Sequence, residues 1–374
     1  MKFLFIGDLH LCKKYRVKFL QAADTILQAA EIEKPKFTII AGDLFNGSIL
    51  MEDPSVADMG LFLRRLSRIC PVVGVYGTPS HDVPGILDTY TIMYDKEKFP
   101  VFIAAEPTIL AVMNDGNVTR LDLAKKENIE TTIALLPTPT GRAQAADTFE
   151  DIKSRWLSEA AYMYTTMQAE APDKCKILVG HMSTDFCGIR TGLIIPAAEI
   201  PKFDFIGLGH EHAAPFSTDH PKISYCGSIF HTEANDTSIK YAKFIDLGDR
   251  PGLNEEVKVY PLPSKPFIRI NLPFLGVPED LTPWTDVKDF DVTIGLEVPS
   301  GTEPKDIDAV LVRLRAFFTN LTVKIRIIPI VKAKIPEIGN SPDFETKFKL
   351  WAAISKVEIT DTLLEKIKSL EAVE

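Results

Sequence analysis

No run of 18 apolar residues occurs in the chain, which excludes a membrane-spanning helix. The start also lacks the basic, apolar, small-residue order of a secretory leader. The sequence therefore reads as that of a protein neither exported nor embedded in a membrane. Cysteine is sparse: Cys12, Cys70, Cys175, Cys187 and Cys226 are scattered, odd in number and form no C-x-x-C. That excludes a disulfide frame and a zinc knuckle and points to reduced thiols in the cytoplasm. Positive charge is short as well, with 42 Lys and Arg against 51 Asp and Glu, a net charge of −9. Such a chain does not hold nucleic acid by bulk charge alone. Bound divalent cations or a basic partner would have to offset the balance locally. No internal repeat and no low-complexity segment is present.

What the chain has is one strand ending used again and again. Met1-Lys2-Phe3-Leu4-Phe5-Ile6-Gly7-Asp8-Leu9-His10 is an apolar run that breaks into a polar turn. A short apolar run bounded by glycine reads as a buried strand. Its C-terminal end is where ligands collect in an α/β sheet. A helix is expected over 17–33, where Val17, Leu20, Ala23, Leu27 and Ala30 recur at spacings of three and four and Pro35 stops the pattern. Phe37 to Ala41 is a second strand, ending in Gly42-Asp43. A right-handed crossover makes these two strands parallel and puts Asp8 and Asp43 on one edge. After a helix over 54–69, the strand 71–76 ends in Gly77-Thr78-Pro79-Ser80-His81-Asp82. Short strands are expected at 101–104, 108–113 and 131–136, and a helix at 147–170. The strand at 176–179 ends in Gly180-His181, and 203–208 ends in Gly209-His210-Glu211-His212. Closing strands are expected at 222–225 and 241–246.

Five of the seven histidines thus follow strands directly, and the other two, His220 and His231, read as surface residues. With Asp8 and Asp43, at least six metal-ligand types converge on one sheet edge. Mixed carboxylate and imidazole donors suit Mn, Fe or Zn better than Ca. Six donors exceed one tetrahedral site and suit two metals clamping a phosphoryl displacement. Glu211, between two of the histidines, should point away from them. Cys12 and Cys187 read as inert thiols. Lys13, Lys14 and Arg16 form a basic cluster beside the first loop that could face phosphates.

A Pro-rich hinge at 261–266 separates a domain over 1–262 from a small α/β module over 266–333. A further linker leads to a C-terminal element over 343–374. It carries two amphipathic helices, one with Phe344, Phe348, Trp351 and Ile354 on one face.

Asp8-x-His10, Gly42-Asp43, Ser80-His81-Asp82, Gly180-His181 and Gly209-His210-x-His212 resemble the ordered motif set of calcineurin-like metallophosphoesterases. Within that superfamily, Gly42-Asp43-Leu44-Phe45 and Tyr225-Cys226-Gly227-Ser228, followed by a Lys-rich strand, resemble the SbcD-type nuclease subunit of double-strand-break repair complexes. The small α/β module and the C-terminal helices fit the same resemblance. It implies a four-layer β-sandwich flanked by helices, an α/β cap domain and C-terminal helices that dock on the coiled coil of an SbcC-like ABC ATPase. It also implies two Mn2+ ions, with Mg2+ or another divalent metal as substitutes. Asp8, His10, Asp43 and His212 would hold one ion; Asp43, His181 and His210 would hold the other, with Ser80 as its neutral oxygen. His81 would act on the leaving oxygen, with Asp82 orienting it. The implied activity is manganese-dependent exonuclease and hairpin endonuclease action on DNA ends, by a homodimer in the cytoplasm of a bacterial or phage-infected cell. Two positions depart from the pattern: Ser80 stands where the family carries Asn, in a turn two residues longer, and Asn46 stands where the nuclease branch often carries His. A phosphodiesterase or phosphatase with another substrate, or a weakened subunit that bridges DNA ends, are the rival readings.

Overall fold

The structure is a computed structural model that describes residues 1–47, 49–82, 85–93, 100–187, 193–215, 218–232, 234, 236–248 and 256–328. The chain divides into two compact units, Met1–Ile268 and Arg269–Glu374. The expected C-terminal helices over 343–374 lie outside the described residues.

The first unit begins with alternating strands and helices: β1 (Lys2–Ile6), α1 (Arg16–Glu33), β2 (Thr38–Ile40), α2 (Pro54–Ser67), β3 (Val72–Val75), α3 (Ile86–Met93) and β4 (Val101–Ala104). Strands β1 to β4 run parallel side by side. The chain then starts a second sheet with β5 (Thr108–Met113), β6 (Val118–Arg120), β7 (Ile129–Leu136) and, after helix α4 (Phe149–Glu170), β8 (Cys175–His181). After the short pair β9 (Ser183–Thr184) and β10 (Ile194–Ile195), it is completed by β11 (Phe205–Gly209) and β12 (Ile223–Tyr225). Its order is β12-β11-β8-β7-β5-β6, with β12, β11, β8 and β7 parallel. The chain returns to the first sheet through β13 (Tyr241–Asp246) and β14 (Glu256–Pro261), both antiparallel additions, giving β14-β13-β1-β2-β3-β4.

These strands read as unbroken apolar runs because both faces are covered. In β1, Phe3 and Phe5 face the second sheet, and their rings meet Phe205 edge-on at 5.2 and 5.6 Å. Leu4 and Ile6 face the other way and join Phe19, Ile26 and Leu63 of α1 and α2. On the outer face of the second sheet, Trp156, Met163 and Met167 of α4 pack with Leu136, Leu178 and Leu208. The order is helix, sheet, sheet, helix, the four-layer α/β arrangement expected. The ligand-bearing strands, however, belong to two sheets rather than one. Strand periodicity is the same in either sheet, so it cannot tell a continuing sheet from a new one.

Local signals explain the helix bounds. Asp53 caps α2 by accepting from Ser55 N–H, with Pro54 in the first turn. Thr148 and Asp151 close a capping box on α4. Lys34 ends α1 at φ 48°, ahead of Pro35. Glu33, at that end, is buried against Lys258, Tyr260 and Lys2, which hold its carboxyl down at about 2. This ties α1 to β1 and β14. The sequence missed β14, because the Pro-rich segment that follows drew the boundary.

From β15 (Phe267–Pro273), which spans the boundary to the second unit, the chain forms a sheet with β16 (Asp291–Pro299) and β17 (Asn320–Ile328) in that order. Helix α5 (Pro304–Phe317) connects the parallel pair β16 and β17. Val292, Ile294, Leu296 and Val298 alternate into its core, with Leu311 and Leu314 of α5 also buried.

Candidate metal centre

The loops after β1 and β2 stay zipped beyond the ends of their strands. Asp8 N–H donates to the Gly42 carbonyl at 3.0 Å, His10 N–H to Asp43 at 3.0 Å and Leu11 N–H to Leu44 at 3.0 Å. The path turns sharply inward. Asp8, His10, Asp43 and His210 all hold positive φ, at 48°, 43°, 50° and 87°. Left-handed backbone costs an L residue about 1–2 kcal/mol, less for Asp and Asn than for branched residues. Such strain concentrates where a function over-determines the geometry. Gly42 also has positive φ, and a Cβ there would lie 2.6 Å from His181 Nδ1. Only glycine lets the first sheet's loop pass so close to a side chain from the second.

Two trios result. Asp8, His10 and His212 bring one ligand atom each to a common region, and so do Asp43, His181 and His210. A third trio, His10, Asp43 and His81, overlaps both. The two outer trios are joined by Asp43, whose Oδ1 lies 3.3 Å from His181 Nε2 and whose Oδ2 lies 3.8 Å from His10 Nε2. In the first trio His10 Nε2 and His212 Nε2 face each other at 2.8 Å.

The surroundings fix these groups. His181 Nδ1 donates to the Ala41 carbonyl at 2.7 Å, which turns Nε2 toward Asp43. His212 Nδ1 is held by Thr232 Oγ1 at 3.2 Å. The Asp8 carboxylate accepts His210 N–H at 3.0 and 3.1 Å and the Cys226 thiol at 3.4 Å. Glu211 turns away from the histidines, as expected, and accepts from Ser183 Oγ. Cys226 was not singled out by sequence. Its signal was its place in Tyr225-Cys226-Gly227-Ser228, one residue past a strand end.

The electrostatics are those of a cluster built around cations. Burial drives His10 down to about 4. Burial also disfavours the His181 imidazolium, but the adjacent Asp43 charge and hydrogen bond outweigh it and push His181 up to about 10. Asp43 is held well below the usual carboxylate range: burial opposes this, and His181 and His81 override it. The proton on His181 stands where a bound cation would place its charge.

The remaining expected residues fall as follows. His81 is partly exposed and contacts Asp43 Oδ2 through Nδ1 at 2.7 Å, beside the ring of His10. Asp82 makes no hydrogen bond to His81 among the described residues. It is fully buried, and its carboxylate accepts from Leu44 N–H at 2.8 Å, Phe45 N–H at 3.3 Å and Gly77 N–H at 2.7 Å. It therefore staples the β2 loop to the β3 loop. Ser80 is exposed and shares no hydrogen bond with the cluster among the described residues. Thr78, two residues earlier, does: its Oγ1 lies 3.3 Å from both Asp43 Oδ2 and His181 Nε2. The Asn46 side chain turns toward Cys12 Sγ at 3.9 Å. Lys13 and Lys14 are exposed beside this loop, while Arg16 is engaged by both carboxylate oxygens of Asp58. His231 is buried between Ser264 and the Ser238 carbonyl, not at the surface. Its ring nitrogens find partners in Ser264, 33 residues away, and in the Ser238 carbonyl of its own loop, which local sequence does not reveal. His220 is half-buried and stacks on Phe186.

The residues fit divalent metal. Carboxylate oxygen and imidazole nitrogen are the donors such ions take. Ligands at about 2.0–2.2 Å from one cation stand about 3–3.5 Å from each other, and the 3.3 Å between Asp43 Oδ1 and His181 Nε2 has that spacing. Among the described residues no helix is long and apolar enough to cross a membrane. Residues 1–214, more than half of the chain, match the model of the family described as calcineurin-like phosphoesterase. With that match on the residues that carry both trios, the chain belongs to the calcineurin-like phosphoesterases, a family of metal-dependent phosphoester hydrolases.

Proposed function

We propose that this phosphoesterase is a manganese-dependent DNA nuclease subunit, acting as an exonuclease and hairpin endonuclease at DNA ends with an SbcC-like ATPase partner. The observation that carries the reading is the pair of Asp/His trios joined by Asp43, combined with the SbcD-like motifs around it. The position of the trios supports a large substrate. His210 is exposed, and His81 and His212 are partly so, which suits a phosphodiester within a polymer. A net charge of −9 favours a partner that shares the DNA contact. The homodimer and the docking role of 343–374 belong to the same proposal.

Asp8, His10, Asp43 and His212 would hold one ion, and Asp43, His181 and His210 the other. Bound divalent ions supply charge neutralisation at the phosphoryl oxygens and lower the pKa of water. The chain's own residues do the rest. His181 is oriented by Ala41 and His212 by Thr232, so their Nε2 atoms need no reorganisation. Asp43 raises the pKa of His81 against burial. That shift favours the protonated form of His81, the form a general acid for the leaving oxygen needs. Lys13 and Lys14 flank the approach and contact backbone phosphates; Arg16, engaged by Asp58, contributes less.

The test is cleavage of linear and hairpin DNA by the purified chain with Mn2+ and with Mg2+, alone and with the ATPase partner. Manganese-dependent cleavage is expected. Turnover of a small chromogenic phosphodiester with no cleavage of DNA, partner present, would mean a different phosphodiesterase. Failure on both substrates would favour a subunit that only bridges ends.

A further inference from the structure

We infer that Thr78, and not Ser80, supplies the neutral oxygen ligand of the ion held by Asp43, His181 and His210. This rests on the two-metal reading above and adds a ligand to it. The β3 loop is built to bring this one hydroxyl in. Gly77 ends the strand, and a Cβ there would lie 2.2 Å from both the Asp43 amide nitrogen and Asp43 Oδ1. Its absence lets the backbone lie directly on Asp43. Thr78 N–H then donates to Asp43 Oδ1 at 2.6 Å, which sets the register between the residue and the carboxylate.

The next two residues leave the site. The Thr78 carbonyl accepts His81 N–H at 2.8 Å and Asp82 N–H at 2.9 Å, closing a turn with Pro79 and Ser80 on its crest. Both crest residues are exposed, whereas Thr78 is half-buried. Pro79 also biases Thr78 toward extended backbone, which keeps the chain from coiling before the turn. The turn therefore directs one hydroxyl inward and lifts the other to the surface.

The spacing fits coordination. Thr78 Oγ1 and Asp43 Oδ1 each lie 3.3 Å from His181 Nε2, and Thr78 Oγ1 lies 3.3 Å from the second oxygen of the same carboxylate, Asp43 Oδ2. Donors about 2.0–2.2 Å from a common ion stand about 3–3.5 Å apart. A hydroxyl that served Asp43 alone would have no need to sit equally close to His181.

The experiment measures Mn2+ binding to the full chain by isothermal titration calorimetry, with the paramagnetic resonance of coupled Mn2+ pairs as a second readout. Wild type, Thr78→Val, Thr78→Ser and Ser80→Ala are compared, with thermal melts to check folding. Valine keeps the shape and the backbone N–H and removes only the hydroxyl. The expected result is two ions in wild type, and in Thr78→Val at least a roughly tenfold loss of affinity at one of them with loss of the coupled-pair signal. Thr78→Ser restores both readouts, and Ser80→Ala leaves them as in wild type. Two ions bound equally well by wild type and Thr78→Val would overturn the assignment and leave the two-metal reading intact. A weakened site in Ser80→Ala alone would return the role to Ser80. Fewer than two ions in wild type would instead overturn the reading on which the assignment rests.

Discussion

Asp43→Asn lowers the metal-dependent hydrolysis rate by roughly 10³-fold or more while the protein stays folded. The magnitude follows from removing preorganised charge at the reacting group, where even one lost hydrogen-bond donor costs about 10²–10³ in rate. Asp43 is worth more than one donor because its two oxygens serve different trios. Oδ1 faces His181 at 3.3 Å, and Oδ2 contacts His81 at 2.7 Å and lies 3.8 Å from His10. Asparagine has the same shape, but it lacks the charge and presents an amide nitrogen that cannot ligate. The fold should tolerate the change. His181 stays bonded to the Ala41 carbonyl through Nδ1, so the second-sheet side of the centre keeps its place. Initial rates on a chromogenic phosphodiester with Mn2+, set beside a thermal melt, check this. A variant with more than about a tenth of wild-type activity would show that Asp43 does not bridge the centre.

Asp82→Ala has the second large effect, and it falls on stability. Three buried backbone N–H groups, of Leu44, Phe45 and Gly77, lose their shared acceptor. Leaving buried donors unsatisfied costs about 1–3 kcal/mol each, so losing the acceptor shared by three of them costs about 3 kcal/mol or more in total. For a unit of this size that lowers the melting temperature by roughly 10 °C. Asp82→Asn keeps one acceptor oxygen and should fall in between. Activity drops too, because the stapled loops carry Asp43 and Thr78. The diagnostic quantity is the melt. If Asp82 acted by orienting His81, kcat would fall at an unchanged melting temperature.

Much of this site was legible in the sequence, for a physical reason. A strand buried on both faces must be a short apolar run, and a chain that turns sharply at its end needs glycine or a residue tolerant of positive φ. Gly7-Asp8, Gly42-Asp43 and Gly209-His210 carry both signals, so the residues of the two trios could be named before any coordinates. What was not legible depended on contacts distant in sequence. Nothing in the period of β8 or β11 reveals that they lie in a second sheet. Asp82 follows His81 directly, which suggested a pair, yet its carboxylate points to amides 37 and 38 residues away. Ser80 and Thr78 carry the same functional group two positions apart. The hydrogen bonds closing the turn on the Thr78 carbonyl decide which one faces inward. His231 looked like a surface residue because one of its partners, Ser264, lies 33 residues away and the other, the Ser238 carbonyl, is reached only by the folding of its own loop.

The most direct measurement is a crystal structure of the protein soaked in Mn2+, with anomalous differences collected at the manganese edge. Two peaks about 3.5–4 Å apart are expected, one on each side of Asp43. A single peak, or two peaks that do not share Asp43, would contradict a two-metal centre bridged by Asp43.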